Sequence, residues 1–177
     1  RQMCIRDRFY PDGLQNNYRY VMLAYEEWRS LFELGRLNEP QSAFFKTKPV
    51  EQLFDLSSDP HETVNLAGNQ EYKAVLLSLR NRLNQKMNAI HDLSFYPENH
   101  MVKHALDDGI KFGQTHAEEI RLLQQTANLA LLPFGQAEEN IRRALNHDSP
   151  LVRYWAFTVC SSFGVKAKSL LKNTESR

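Results

Sequence analysis

The residues of this chain able to do chemistry are six histidines, two cysteines and a few paired carboxylates. His100 and His104 stand four apart, a spacing that puts two imidazoles on one helix face and suits a metal-binding helical pair. No third ligand follows at a convincing spacing, and there is no His-Glu-x-x-His pattern. His61, His91, His116 and His147 are scattered, and solvated surface is the default reading of all six. Glu26-Glu27, Glu118-Glu119 and Glu138-Glu139 are paired carboxylates. The last two lie near expected helix N-termini, where the helix dipole favours negative charge. Nothing converges on any of them as an acid/base pair. Asp107-Asp108 is the only adjacent aspartate pair, and no strand precedes it. Arg142-Arg143 with Arg153 reads as a solvated helix face plus a local pair from Arg153 to Asp148. Cys4 and Cys160 build no disulfide framework.

The chain has 177 residues, enough for one medium domain or two small ones. It is 42% hydrophobic and 11% aromatic, which supports a real core and argues against wholesale disorder. A net charge of +1 gives no case for a nucleic-acid partner. No run approaches the roughly 18 apolar residues of a membrane span. Met3-Cys4-Ile5-Arg6-Asp7-Arg8 resembles a translated sequencing-adapter scar, so residues 1–8 are set aside as a non-native tail. Without them three arginines and one aspartate are lost, and the net charge moves from +1 to −1.

The elements that would position these groups are mainly helical. Phe9 to Gly13 reads as a turn. Trp28, Leu31, Phe32 and Leu34 recur at helical spacing, with Gly35 as terminator. Asn38-Glu39-Pro40-Gln41 predicts a second, very short helix with an Asn cap, an early Pro and Gln three residues on. The spacing predicts a helix over 70–92 capped by Asn69, with Tyr72, Val75, Leu76, Leu79, Leu83, Met87 and Ile90 on one apolar stripe. Residues 94–114, punctuated by Pro97, Gly109 and Gly113, are expected to form a poorly regular connector. Thr115-His116-Ala117-Glu118 reads as a capping box opening a helix through Ile120, Leu123, Ala127 and Ala130. A further helix is expected over 137–146. His147-Asp148-Ser149-Pro150 forms the next turn, with Ser149 as cap and Pro150 at the first helical position. A third helix over 151–163 closes at Gly164, and a fourth begins at Val165.

Between the second and third of these helices lies the most specific string in the chain. Leu53, Phe54 and Leu56 form a short apolar strand-like run. Ser57-Ser58-Asp59-Pro60 makes a dense turn, and Glu62, Thr63, Asn65 and Leu66 lead to Gly68-Asn69. Read as Glu51-Gln52-Leu53-Phe54-Asp55-Leu56, Asp59-Pro60, Glu62 and Asn65-Leu66-Ala67, it resembles a segment near the C-terminus of the type I sulfatases. These are the arylsulfatase-like branch of the alkaline-phosphatase superfamily. Trp28, Gly35, Leu37-Asn38-Glu39, Gln41, Phe44-Phe45-Lys46 and Lys48-Pro49 look like one bacterial-type subgroup of that family. The resemblance covers residues 9 to 96. It implies a small α+β subdomain there, with Tyr10, Asp12 and Tyr18 at the substrate rim.

Sulfatases of this family use a Cys-x-Pro/Ala-x-Arg motif, whose Cys becomes formylglycine, beside a divalent cation, Ca²⁺ in the expected case. Cys4-Ile5-Arg6-Asp7-Arg8 has Arg6 where Pro or Ala is required, and Cys160-Ser161-Ser162-Phe163-Gly164 lacks the Arg. The resemblance therefore implies a C-terminal, non-catalytic piece, with no catalytic, cofactor-binding or metal residues of its own. Its expected partner is the absent N-terminal sulfatase domain, which would bring the sulfated substrate. Exported or periplasmic location would follow if the parent is a typical bacterial sulfatase.

Beyond residue 114 the unit Leu145, Asp148-Ser149-Pro150-Leu151-Val152-Arg153, Ala156, Val159 and Phe163-Gly164 resembles a HEAT-type repeat. Asp148, Pro150, Val152 and Arg153 would then be its structural turn residues. One helical hairpin cannot bury its own apolar faces, so neighbours are expected. The expected fold is mainly α. Its parts are a tail over 1–8, a sulfatase C-terminal subdomain over 9–96, a connector over 97–114 and HEAT-like hairpins over 115–177. The alternative is a helical-repeat interaction module with no enzymatic parent. A weaker third reading is a phospho-transfer or phosphonate enzyme of the same superfamily.

Overall fold

The structure, a computed structural model, describes residues 2–5 and 21–171. Tyr10, Asp12 and Tyr18, the expected rim residues, lie outside the described residues. The described chain is mainly helical and divides into two compact units, Arg1–Leu76 and Leu77–Arg177. The division falls inside a helix and not at the connector expected over 97–114.

In the first unit, α1 (Leu23–Glu33) carries Tyr25, Trp28 and Phe32 toward Phe44 and Phe45. Trp28 lies 4.7 Å from Phe44 between ring centroids, and Phe32 stacks on Phe45 at 4.6 Å. Such pairs contribute about 0.5–1.5 kcal/mol each beyond area burial, so this half-buried cluster holds α1 against the Phe44–Phe45 turn. Trp28 is thus a core-building residue. The helix stops where Gly35 turns left-handed, with φ 65°. Arg36 N–H then donates to Leu31 O and Gly35 N–H to Phe32 O, satisfying two orphan carbonyls. Helix α2 (Glu39–Ser42) opens with the reciprocal cap expected from its sequence. Gln41 N–H donates to Asn38 Oδ1 and Asn38 N–H to Gln41 Oε1, each at 3.0 Å. A 3₁₀ turn over Ala43–Phe45 then delivers the two phenylalanines.

Strand β1 (Gln2–Ile5) pairs antiparallel with β2 (Glu51–Phe54), Met3 opposite Leu53. The first of these lies in the segment read as a non-native tail. Ladder hydrogen bonds come from backbone groups, so pairing is indifferent to where a strand's side chains originate.

Helix α3 (Lys73–Ala89) follows a 3₁₀ turn whose cap is Asn69, its Oδ1 accepting from Glu71 N–H at 3.0 Å. Of its predicted stripe, Leu76 is buried and Tyr72, Val75, Leu79, Leu83 and Met87 are half-buried. Ile90 is the exception at 56% exposed, because the helix ends before it. His91 adopts φ 52°, while Asp92 N–H donates to Met87 O and His91 N–H to Asn88 O. A histidine here does the job normally given to glycine, at a conformational cost of roughly 1–2 kcal/mol.

The second unit continues with α4 (Glu98–His104), α5 (Gly109–Thr115), α6 (Ala117–Ala127), α7 (Phe134–Leu145), α8 (Pro150–Phe163) and α9 (Lys168–Leu171). The stretch expected to be irregular is therefore two short helices, with Phe95, Tyr96 and Phe112 buried. The Thr115 capping box is absent. Thr115 ends α5, and its hydroxyl donates back to Lys111 O and Phe112 O, while Glu118 pairs with Arg121. Thr115 is the last residue of α5 and its side chain turns back onto that helix, so His116 and not Thr115 stands at the cap position of α6.

Helix α8 is the centre of this unit, flanked by α6 and α7. Ile120 and Leu123 of α6, Ala137, Ile141 and Leu145 of α7, and Val152, Ala156 and Val159 of α8 are buried. Gly164 ends α8 with φ 56°. Ala156 is fully buried, so Ala156→Leu should overpack α8 and cost about 1–3 kcal/mol. Arg142→Ala removes only exposed ion pairs to Glu138 and Glu139 and should stay within about 0.5 kcal/mol. Denaturant midpoints of the two variants test the ordering. If Arg142→Ala proves the more damaging, the interior face of α8 has been misassigned.

Candidate functional site

The turn after β2 is built by three side chains, Asp55, Asp59 and Asn65. Asp55 Oδ1 accepts from the Ser57 hydroxyl at 2.6 Å, and its carbonyl accepts from Ser58 and Asp59 N–H. Asp59 then accepts from Val64 N–H at 2.8 Å and from the Thr63 hydroxyl at 3.0 Å. Those donors hold the Asp59 carboxyl below its ordinary 3.8, the Val64 amide being the largest cause. Asn65 closes the structure. Its Oδ1 accepts from Leu53 N–H at 2.9 Å and Ala67 N–H at 3.0 Å, its Nδ2 donates to Glu51 O at 3.4 Å, and Leu66 N–H donates to Leu53 O at 2.7 Å. The loop is thus stitched to β2 by one amide side chain and one backbone amide. The side chains of Asp55, Ser57, Ser58, Asp59, Thr63 and Asn65 are all occupied in holding the chain's path.

Because Asp59 binds its proton less readily folded than unfolded, it stabilises the fold above pH 3.8. That contribution fades as the pH falls from there through the lowered value. A carboxyl titration followed by NMR should place Asp59 below 3.8, and Asp59→Asn should remove the acid-sensitive step. An unshifted titration would discount the loop hydrogen bonds.

The helical turn before α8 is held differently from its sequence reading. Arg153 was expected to pair with the Asp148 carboxylate. Its Nη1 instead donates to the backbone carbonyls of His147 and Asp148, each at 2.7 Å. Ser149 occupies the cap position without a side-chain hydrogen bond, and Ser149 N–H donates to His147 Nδ1 at 3.0 Å. Pro150 opens α8, and Val152 is 1% exposed beneath the turn.

The densest titratable cluster was not legible as a unit in the sequence. Buried Tyr96 donates its hydroxyl to Glu119 Oε2 at 2.7 Å, and its ring stacks on His100 at 4.9 Å. The His100 ring lies 4.5 Å from that of His104, and His116 stacks on Phe112 at 4.0 Å. Burial, then the Glu119 contact, pushes the Tyr96 phenol well above its usual range. Burial, reinforced by His104 and His116, pulls His100 down against Glu119, which pulls the other way. The signal available in the sequence was only the four-residue spacing of the two histidines. Beside this cluster, Ala89 to Leu93, Gly109, Ile110, Gly113 and Gln114 line an open crevice of about 480 Å³.

Cys160 is buried on α8 with its thiol pushed up by burial, the opposite of an activated nucleophile. Among the described residues no three His, Cys, Asp or Glu side chains gather to hold a metal ion. Among them, too, no helix is long and apolar enough to cross a membrane.

No family model matches the chain, and no solved structure matches it. A curated protein does. The chain is 40% identical over 87 residues, 49% of its own length, to an ulvan-active sulfatase from Formosa agariphila. The match spans 15% of that protein's length. About half of this chain is therefore a sulfatase-like segment.

Proposed function

We propose that this chain is the C-terminal, non-catalytic part of a sulfatase. Its first unit completes the sulfatase fold, and its second unit adds a helical surface built of HEAT-like hairpins. The parent enzyme hydrolyses sulfate esters with a formylglycine nucleophile and a divalent cation, Ca²⁺, both supplied from outside this chain. The single observation that carries the reading is the stitched turn from Asp55 to Asn65. The residues that make the string sulfatase-like are the same ones that lock the backbone, so the likeness has a structural purpose here. The 40% identity over 87 residues supports it independently. The relative's name makes ulvan the first substrate to try.

Two measurements test the proposal. The chain alone should release no sulfate from an aryl sulfate, with or without Ca²⁺. A chimera in which this chain replaces the matching segment of the Formosa agariphila sulfatase should fold and keep sulfate release. An insoluble or inactive chimera beside an active parent would sink the assignment, as would turnover by the isolated chain that survives Cys160→Ala.

A further inference from the structure

We propose that His100 and His104 form a two-point chelate for a divalent transition-metal ion of the zinc class, with water completing its coordination. The two residues stand one turn apart on α4, and their rings are 4.5 Å apart between centroids at 44°. Imidazole is a good ligand for Zn²⁺, Ni²⁺ and Cu²⁺, and a spacing of four residues places two of them on one helix face.

What lifts this pair above two surface histidines is its support. The His100 ring lies nearly parallel to that of Tyr96, at 11° and 4.9 Å. Tyr96 is 3% exposed and is itself fixed by the 2.7 Å bond from its hydroxyl to Glu119 on α6. A chain of contacts from Glu119 through Tyr96 therefore orients one ligand before any ion arrives. Preorganisation of that kind is what outer-shell partners give metal sites. The second ligand, His104, is exposed, so an ion can enter from solvent. With no third protein ligand among the described residues, the site is open and its affinity modest. It does not depend on the sulfatase reading.

Calorimetric titration of the whole chain with Zn²⁺, and separately with Ni²⁺, tests it at mildly alkaline pH. One ion should bind per chain. His100→Ala and His104→Ala should each weaken binding by about tenfold or more. His61→Ala, on an exposed loop of the other unit, should leave it unchanged. Zn²⁺ should also raise the thermal midpoint of the parent chain and not that of His104→Ala, because a ligand that binds only the native state stabilises it. Circular dichroism confirms that the exposed His104 variant remains folded. No binding, binding that survives either α4 substitution, or loss on His61→Ala would overturn the proposal.

Discussion

Trp155→Ala is expected to cost about 3–5 kcal/mol, the largest loss from any single substitution in the helical unit. The indole is 7% exposed and lies 5.7 Å from the Phe95 ring between centroids. Its Nε1–H donates to Phe95 O at 2.7 Å across 60 residues of sequence. Truncation removes a large apolar body from beside α8 and leaves a buried carbonyl without its donor, so two penalties fall together. Trp155→Phe separates them. It keeps most of the ring volume and loses the hydrogen bond, and should cost about 1–3 kcal/mol. Urea midpoints of the two variants give the comparison. A Trp155→Ala protein as stable as its parent would mean that the segment holding Phe95 and Tyr96 is not docked on α8.

Leu53→Ala should be the most damaging single change in the first unit, with a loss of about 2–5 kcal/mol. Leu53 is completely buried at the centre of β2 and is the residue to which the stitched loop is tied. The backbone bonds to Asn65 and Leu66 survive the substitution, so the loss is one of volume and contact. Asn65→Ala does the reverse. It spares the core and strands Leu53 N–H, for about 1–3 kcal/mol. Protease sensitivity of residues 55–69 should rise more in Asn65→Ala, while the thermal midpoint should fall further in Leu53→Ala. Equal behaviour on both readouts would mean that loop and strand are not separately supported.

The parts of this fold that could be read from sequence are those fixed by local chemistry. The Asn38–Gln41 box, the Asn69 cap, Gly35, Gly164 and the interior positions Ile141, Leu145, Val152, Ala156 and Val159 each follow from a neighbour within a few residues. Two misreadings arose where a nearby backbone group took the side chain that the sequence had assigned elsewhere. Thr115 carried a capping signal, but α5 already held its hydroxyl. Arg153 sat within reach of an acidic side chain and took two carbonyls instead. The Pro97–Gly113 stretch looked like a linker because its helices are too short to show a period. What orders it is long-range burial of Phe95, Tyr96 and Phe112. The cluster around His100 was hidden for the same reason, since Tyr96 and Glu119 are 23 residues apart.

The stitch at Asn65 also bears on solubility. A strand exposes a row of donors and acceptors along each side, and any unpaired row is a template on which another chain can grow a fibril. β2 is short, and its second half, Leu53 and Phe54, is apolar. One side of it faces β1. The other is closed by a carboxamide that imitates a passing backbone, accepting and donating as a neighbouring strand would, with Leu66 beside it. The motif by which this segment resembles a sulfatase is therefore also its guard against self-association.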